Sequence, residues 1–274
     1  MRTFFIYPNL RKQSAREILP SVCEQLRGRE IRLILPNQMR GTMHALHDEV
    51  MALDYMDTAE AVRIADAAVV LGGDGTMLRI ARAAAQNELP LLGINVGHVG
   101  FMTELEPAEL DKMQALLEGR MMLHVEVERH GRRVYENDAL NDIVIAKGTA
   151  FRVVRVGISA DGEEVTRFNG DGVIAATPTG STPYGLSAGG PVIEPSAENL
   201  AVIPICAHAL AAKSFVFVPE RTLAITAACE GGSEVFISAD GGQGFAVRPD
   251  DRVLITRSAL RTRLIRLKGN SFYR

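Results

Sequence analysis

The chain has 274 residues, 47% hydrophobic and 23% charged, with a formal net charge of −3. This composition excludes a mainly disordered chain, and the slight acidity argues against a general nucleic-acid binder, which would be basic overall. Cys23, Cys206 and Cys229 lie far apart with no CxxC pair, so neither a disulfide framework nor a zinc ribbon is indicated, and a reducing, cytoplasmic setting fits.

In chain order, residues 3–7 lack a basic leader and a cleavage site and read as a buried first strand rather than a signal peptide. Ser14 opens a helix running toward Leu26, with Pro20 expected to disturb it. Residues 31–35 read as a second strand, 58–65 as a helix and 67–71 as a third strand. A helix is expected from Thr76 to about Glu88, a strand over 91–94, and a helix over 108–117 with Pro107 near its start. Strand–helix alternation of this kind implies a layered α/β domain with a mostly parallel sheet. His44 and His47 stand at i, i+3 spacing with no third ligand nearby, so they read as a solvated helix face.

The texture changes near Gly119. Leu123, Val125 and Val127 alternate with His124, Glu126 and Glu128, the period of a half-buried strand. Val154, Val156 and Ile158 repeat it before a hairpin signal at Asp161-Gly162, and residues 223–227 and 253–255 continue in the same mode. This half reads as antiparallel β with one short helix near residues 184–187. The longest mostly apolar stretch, residues 201–212, is broken by Pro204 and His208 and is too short to span a membrane.

Three turns carry chemistry. Val69-Val70-Leu71 runs straight into Gly72-Gly73-Asp74-Gly75-Thr76 and a helix. Glycines there allow close approach by a ligand, and N–H groups at a helix start favour anions, with Thr76 suited to the cap, so phosphate binding is the natural inference. The turn lacks the Lys-Ser/Thr of a Walker A loop and the third glycine of a dinucleotide fingerprint, where Leu78 stands. Asp74 suits a Mg²⁺ ligand or a proton acceptor for a hydroxyl, and equally a turn aspartate bonding its own backbone. The second turn, residues 93–101, follows the fourth strand and carries His98, which reads as a spectator. The third, residues 170–191, gathers Thr177, Thr179, Ser181, Thr182, Tyr184 and Ser187 among glycines. A turn cluster and a ligand site both have this composition; Tyr184 offers a stacking ring, and Thr182 and Ser187 offer hydrogen bonds.

Taken together, these segments resemble the NAD kinases. The resemblance rests on Gly72–Thr76, on Asn95 to Phe101, on Asn141-Asp142 and on the long segment from Gly170 to Pro191, in the family's order. It implies an N-terminal α/β domain over 1–118, an antiparallel β domain over 119–257, and a C-terminal tail of about 258–274 that returns to the first domain. The implied reaction is Mg²⁺-dependent transfer of a phosphoryl group from ATP, or another triphosphate or polyphosphate, to the 2′-hydroxyl of the adenosine ribose of NAD, giving NADP. On this resemblance Asp74 is the proton acceptor, and Gly72, Gly73, Gly75 and Thr76 form the phosphate turn. The NAD-binding positions are Asp74, Gly75, Arg79, Asn141, Asp142, Arg152, Asp171, Thr182, Pro183, Tyr184, Gly185, Leu186, Ser187 and Gln243. Asp142 stands where the family more often has glutamate, and Pro183 where alanine is frequent. The implied partners are NAD, a phosphoryl donor and further copies of the chain as a dimer or tetramer; no nucleic acid and no membrane are expected. The alternatives are a non-catalytic NADP(H) sensor and a lipid kinase of the diacylglycerol type, which shares only the Gly72–Thr76 turn. The acid-free run Arg252, Arg257, Arg261, Arg263, Arg266, Lys268 and Arg274 reads either as an extended polyphosphate surface or as charged edge strands.

Overall fold

The computed structural model describes residues 2–27, 31–40, 53–96, 102, 116–148, 152–182, 184–208, 212–229 and 234–266. The chain divides into two compact units: residues 1–119 with 261–274, and residues 120–260.

The first unit is a layered α/β structure. Strand β1 (Arg2–Pro8) leads to helix α1 (Gln13–Arg27) and β2 (Ile31–Pro36). Then come β3 (Asp54–Met56), α2 (Thr58–Ile64), β4 (Ala67–Gly72), α3 (Asp74–Gln86) and β5 (Leu91–Asn95). Strands β5, β4, β1, β2 and β3 lie in that order, each pair parallel. The fully buried β4 reads as an unbroken apolar run, as a central parallel strand must. Helix α1 runs through Pro20 without a break. Its residues Ala15, Leu19, Val22, Cys23 and Leu26 recur at helical spacing and are buried with Leu33, Leu35, Val69 and Leu71. That packing outweighs the backbone hydrogen bond the proline cannot make. Helix α3 begins at Asp74, two residues before the expected start at Thr76.

The second unit is antiparallel. It contains β6 (Leu116–Arg129), β7 (Arg132–Ala139), β8 (Asp142–Lys147), β9 (Val154–Ala160), β10 (Glu163–Gly170) and β11 (Gly172–Ala176). After the single turn of helix α4 (Tyr184–Ser187) follow β12 (Leu200–Ile205), β13 (Phe215–Phe217), β14 (Leu223–Cys229), β15 (Val235–Ala239), β16 (Phe245–Val247) and β17 (Arg252–Arg266). Of the helix expected over 108–117, residues 108–115 lie outside the described residues, while Leu116 and Leu117 belong to β6. Strands β10, β9, β14 and β17, with β6 paired to β17 and β7 to β6, form one sheet of the unit; β13, β12, β11, β8, β15 and β16 form the other. One apolar cluster joins them, with Val156, Ile158, Leu223 and Ile225 from the first and Ile143, Ile145, Val173 and Val202 from the second. Strand β11 is buried on both faces, because Ile174 and Ala176 pack into a further cluster with Ile193 and Ile203.

Strand β17 serves both units: Val253 and Ile255 pair with β14, and Leu264 pairs parallel with Leu91 of β5. Arg129 and the fully buried Asp251 form a two-point ion pair at 2.8 and 2.7 Å, which holds the Asp251 carboxyl below the usual carboxylate range. The basic run is largely matched by acids from elsewhere: Arg252 by Glu128, Arg257 by Glu198 and Arg263 by Glu88. Lys268 and Arg274, like His44, His47 and His98, lie outside the described residues.

Candidate active site

In the first unit, β4 delivers the chain to Gly73, which caps α3 in an extended conformation. Thr76 is the third residue of the helix rather than its cap, and its N–H closes the turn onto the Gly73 carbonyl at 2.8 Å. A Cβ at Gly72 would collide with the Thr76 side chain, so only glycine lets Thr76 tuck in there. The Thr76 hydroxyl accepts from Asn9 Nδ2 at 3.3 Å and from Arg79 Nη2 at 3.1 Å, and Arg79 Nε donates to the Gly75 carbonyl at 3.2 Å. Arg79 therefore folds back over the turn it follows, a reach of one helical turn. Asp74 is half-buried in the first turn of α3, where the helix dipole favours a carboxylate, and its Oδ1 accepts the Met102 N–H at 3.1 Å. Gly75 is open to solvent on its Cβ side, and Lys12 Nζ lies 4.0 Å from where a Cβ on Gly73 would stand. Lys12 arrives there because the Asn9 N–H binds the Leu71 carbonyl at 2.8 Å, docking the end of β1 on the end of β4. A glycine turn, a helix start and two cations are the components of an anion site.

In the second unit, Asp142 lies opposite Ala176 on the β8–β11 ladder, which sets residues 140–142 beside residues 177–181. The Thr177 N–H donates to the Asn141 carbonyl at 2.8 Å, and its hydroxyl donates to the Leu140 carbonyl at 2.7 Å and accepts the Gly180 N–H at 3.1 Å. A Cβ at Gly180 would overlap the Asn141 carbonyl, so the two stretches cross backbone to backbone. Much of the hydroxyl cluster fastens this turn. Ser181 donates to Pro178 O at 2.8 Å and accepts from Ile193 N at 3.1 Å, and the buried Thr182 donates to Thr179 O at 3.3 Å. On α4, Tyr184, Leu186 and Ser187 are exposed while Gly185 is buried. Pro183 lies outside the described residues.

Asp171 stands at the other end of β11, paired with Lys147 Nζ at 2.6 Å. Six residue steps along an extended chain put it roughly 20 Å from Thr177, so one ligand touching both regions would lie along the strand. Arg152 is exposed just before β9, and Gln243 is exposed between β15 and β16.

Asp240 enters from the turn between β15 and β16. Its Oδ2 accepts the Leu140 N–H at 2.8 Å, and its Oδ1 accepts the N–H groups of Asn141 at 2.8 Å and Asp142 at 3.1 Å. Its own N–H donates to the Asp142 carbonyl at 2.9 Å. Burial raises the Asp142 carboxyl to about 7, with the Asp240 charge adding to the shift. Asp240 is itself raised by burial, against the lowering effect of its three N–H donors. Asn141 is 6% exposed, and its amide oxygen is buried without a hydrogen-bond partner. A buried acceptor beside a carboxyl is suited to a ligand that donates hydroxyl or amino hydrogens.

The two halves of the chain also match known proteins. Residues 4–121 match the family model of the ATP-NAD kinase N-terminal domain, and residues 140–267 that of the ATP-NAD kinase C-terminal domain. The chain belongs to the ATP-NAD kinase family. An NAD kinase of Symbiobacterium thermophilum is 47% identical over 215 residues, covering 76% of each chain. An NAD kinase of Moorella thermoacetica is 36% identical over 280 residues, covering all of this chain and 87% of the relative. Among solved structures, an Archaeoglobus fulgidus NAD kinase in complex with ATP matches with a TM-score of 0.71 and 26% identity, covering 100% of this chain and 96% of that one. Yeast NADH kinase complexed with NADH shares the fold at a TM-score of 0.88 and 23% identity, covering 100% and 85%. The lipid-kinase and sensor alternatives are left without support.

Within this ATP-NAD kinase framework, Lys12, Thr177 and Gly180 contribute individually in ways their local sequence does not announce. Lys12 carries no motif; its signal is its place just past a strand that parallel pairing sets beside β4. Thr177 and Gly180 stood inside a recognised segment, but their partners are 36 to 39 residues earlier in the chain.

Proposed function

We propose that the chain phosphorylates NAD at the 2′-hydroxyl of its adenosine ribose, taking the phosphoryl group from ATP or another triphosphate or polyphosphate and releasing NADP. The observation that carries this reading is Asp74: a carboxylate in the first turn of α3, on an open glycine turn with Lys12 and Arg79 beside it. The turn and the two cations take the donor's phosphates, where they offset its negative charge. Asp74 accepts the proton of the ribose hydroxyl as that oxygen attacks the terminal phosphorus. The new O–P bond forms as the bond from that phosphorus to the leaving nucleoside diphosphate, or to the shortened polyphosphate, breaks.

The second unit supplies dinucleotide contacts in this reading. Asn141 and Asp142 take ribose or base hydrogens, Tyr184 stacks on a base, and Asp171, Thr182, Ser187, Arg152 and Gln243 complete the contacts. A hard carboxylate oxygen at a phosphate turn is the donor that Mg²⁺ accepts alongside substrate phosphates, so Asp74 fits as its protein ligand. When bound, the ion neutralises phosphate charge. The reading extends to a homo-oligomer, a dimer or tetramer, in the cytoplasm; light scattering on the purified chain tests the assembly.

The deciding experiment incubates purified protein with NAD, ATP and Mg²⁺ and detects product with an NADP-specific dehydrogenase. NADP formation supports the reading. No product with ATP, inorganic polyphosphate or other triphosphates overturns it.

A further inference from the structure

Residues 140–142 are gripped from two sides. Asp240 takes their three successive N–H groups and donates to the Asp142 carbonyl, while Thr177 donates to the carbonyls of Leu140 and Asn141. Each of these backbone groups is thereby satisfied, so the segment cannot rotate without stranding a buried donor or acceptor. Two groups take no part in these hydrogen bonds: the unpartnered Asn141 amide oxygen and the buried Asp142 carboxyl.

We propose that Asp240 is a positioning residue for dinucleotide binding: its carboxylate sets the backbone that aims Asn141 and Asp142, and its charge, acting beside burial, shifts the pH range over which Asp142 takes part. The proposal rests on reading Asn141 and Asp142 as dinucleotide contacts. Asp142 faces Ala176 across the β11 ladder, and Ala239 of β15 lies opposite its neighbour Ile143. Of the charged groups among the described residues, Asp240 is the one that acts on it, and no basic side chain offsets that charge. An ionised Asp142 accepts hydrogens from ribose hydroxyls; a protonated one has to turn its own hydrogen toward the ligand. NAD affinity therefore falls as pH drops through neutrality. Removing the Asp240 charge lets Asp142 ionise at lower pH, which moves the transition down.

The test uses the full chain. Asp240→Asn keeps the side-chain shape but removes the charge and sets an NH₂ group against a backbone donor. NAD binding is measured by calorimetry from about pH 5.5 to 8.5, a span that brackets the Asp142 transition, and KM is measured for NAD and for ATP. The expected result is NAD binding weakened about tenfold or more, on the order of 1.4 kcal/mol. KM for ATP stays within about twofold, a factor worth on the order of 0.4 kcal/mol, and the pH midpoint of NAD binding moves down. Asp142→Asn should leave NAD affinity flat across the same range. A purely structural role for Asp240 would lower thermal stability without moving the pH midpoint. A folded Asp240→Asn chain with wild-type affinity and midpoint overturns the proposal. If Asp240→Asn does not fold, an Asp142→Asn chain that keeps the wild-type pH dependence overturns it, and a flat profile supports it. If the unaltered chain fails to bind NAD at any pH, the proposed function fails, an outcome distinct from the loss of this inference alone.

Discussion

The two units prepare for ligands in opposite ways. The backbone is exposed at Gly75 and half-buried at Gly73, and side chains brace it: Asn9 and Arg79 hold Thr76, which holds the turn. Around Asn141 the backbone is buried and gripped by Asp240 and Thr177, leaving a side-chain amide as the unsatisfied group. The sheets explain the contrast. Parallel strands end together in helix starts, whose N–H groups are natural anion receptors. Antiparallel strands end in hairpins with no such dipole, so recognition there must come from individual side chains that something else fixes in place.

This contrast breaks most visibly at Asp74. Asp74→Asn keeps the shape of the turn but removes the charge and the basic oxygen. Turnover should fall by about 10²–10⁴, while NAD affinity measured by calorimetry on the same variant changes much less. Turnover within about tenfold of the unaltered chain, only ~1.4 kcal/mol of barrier, would show that Asp74 is not the base.

A structural carboxylate should behave in the reverse manner. Asp251→Asn leaves Arg129 without its buried counter-charge. Denaturant melts should show a loss of about 3 kcal/mol, with KM for both substrates unchanged in the folded enzyme. A shift in KM without a loss of stability would place Asp251 in the site instead.

Tyr184 sharpens the comparison from the side of the exposed ring. Tyr184→Ala should raise KM for NAD by the equivalent of about 1–3 kcal/mol, the scale of base–aromatic stacking, with a smaller change in kcat. An unchanged KM with a collapsed kcat would contradict a stacking role.

The smallest effect is a slope. Because burial raises the folded-state carboxyl of Asp142 to about 7, the native chain holds a proton there that the unfolded chain has released above its ordinary range. The contribution of this group to stability is therefore full below the unfolded value and is lost as pH rises through the folded one. The slope is at most about 1.4 kcal/mol per pH unit for one proton. Thermal melts should show the unaltered chain losing stability from pH 6 to pH 8 relative to Asp142→Asn; parallel curves would refute the assignment.

How far the molecule could be read from its sequence depends on chain distance. The β4–turn–α3 unit was legible because a buried apolar run, a glycine turn and a helical pattern sit within about twenty residues. The parallel and antiparallel halves followed from their different periods. Helix α1 looks flawed at Pro20 because local propensity is visible in the sequence and the packing of its apolar stripe is not. The grip of Asp240 on residues 140–142 spans 98 to 100 residues, and only the pairing of β8 with β15 brings those positions together. The basic run near the C-terminus looked unbalanced because Glu88, Glu128 and Glu198 lie far from it in sequence.

The division of β17 between the units bears on how the chain is made. Leu264 pairs with Leu91, so β5 keeps a bare edge until Leu264 has been synthesised. At about 5–20 residues per second the interval is roughly 10–35 s on the ribosome. The second unit, whose residues 120–260 are contiguous, can close first. For this protein the N-terminal unit is the last to be completed, against the usual order of emergence, and its β5 edge is the place where chaperone protection or premature aggregation would be felt.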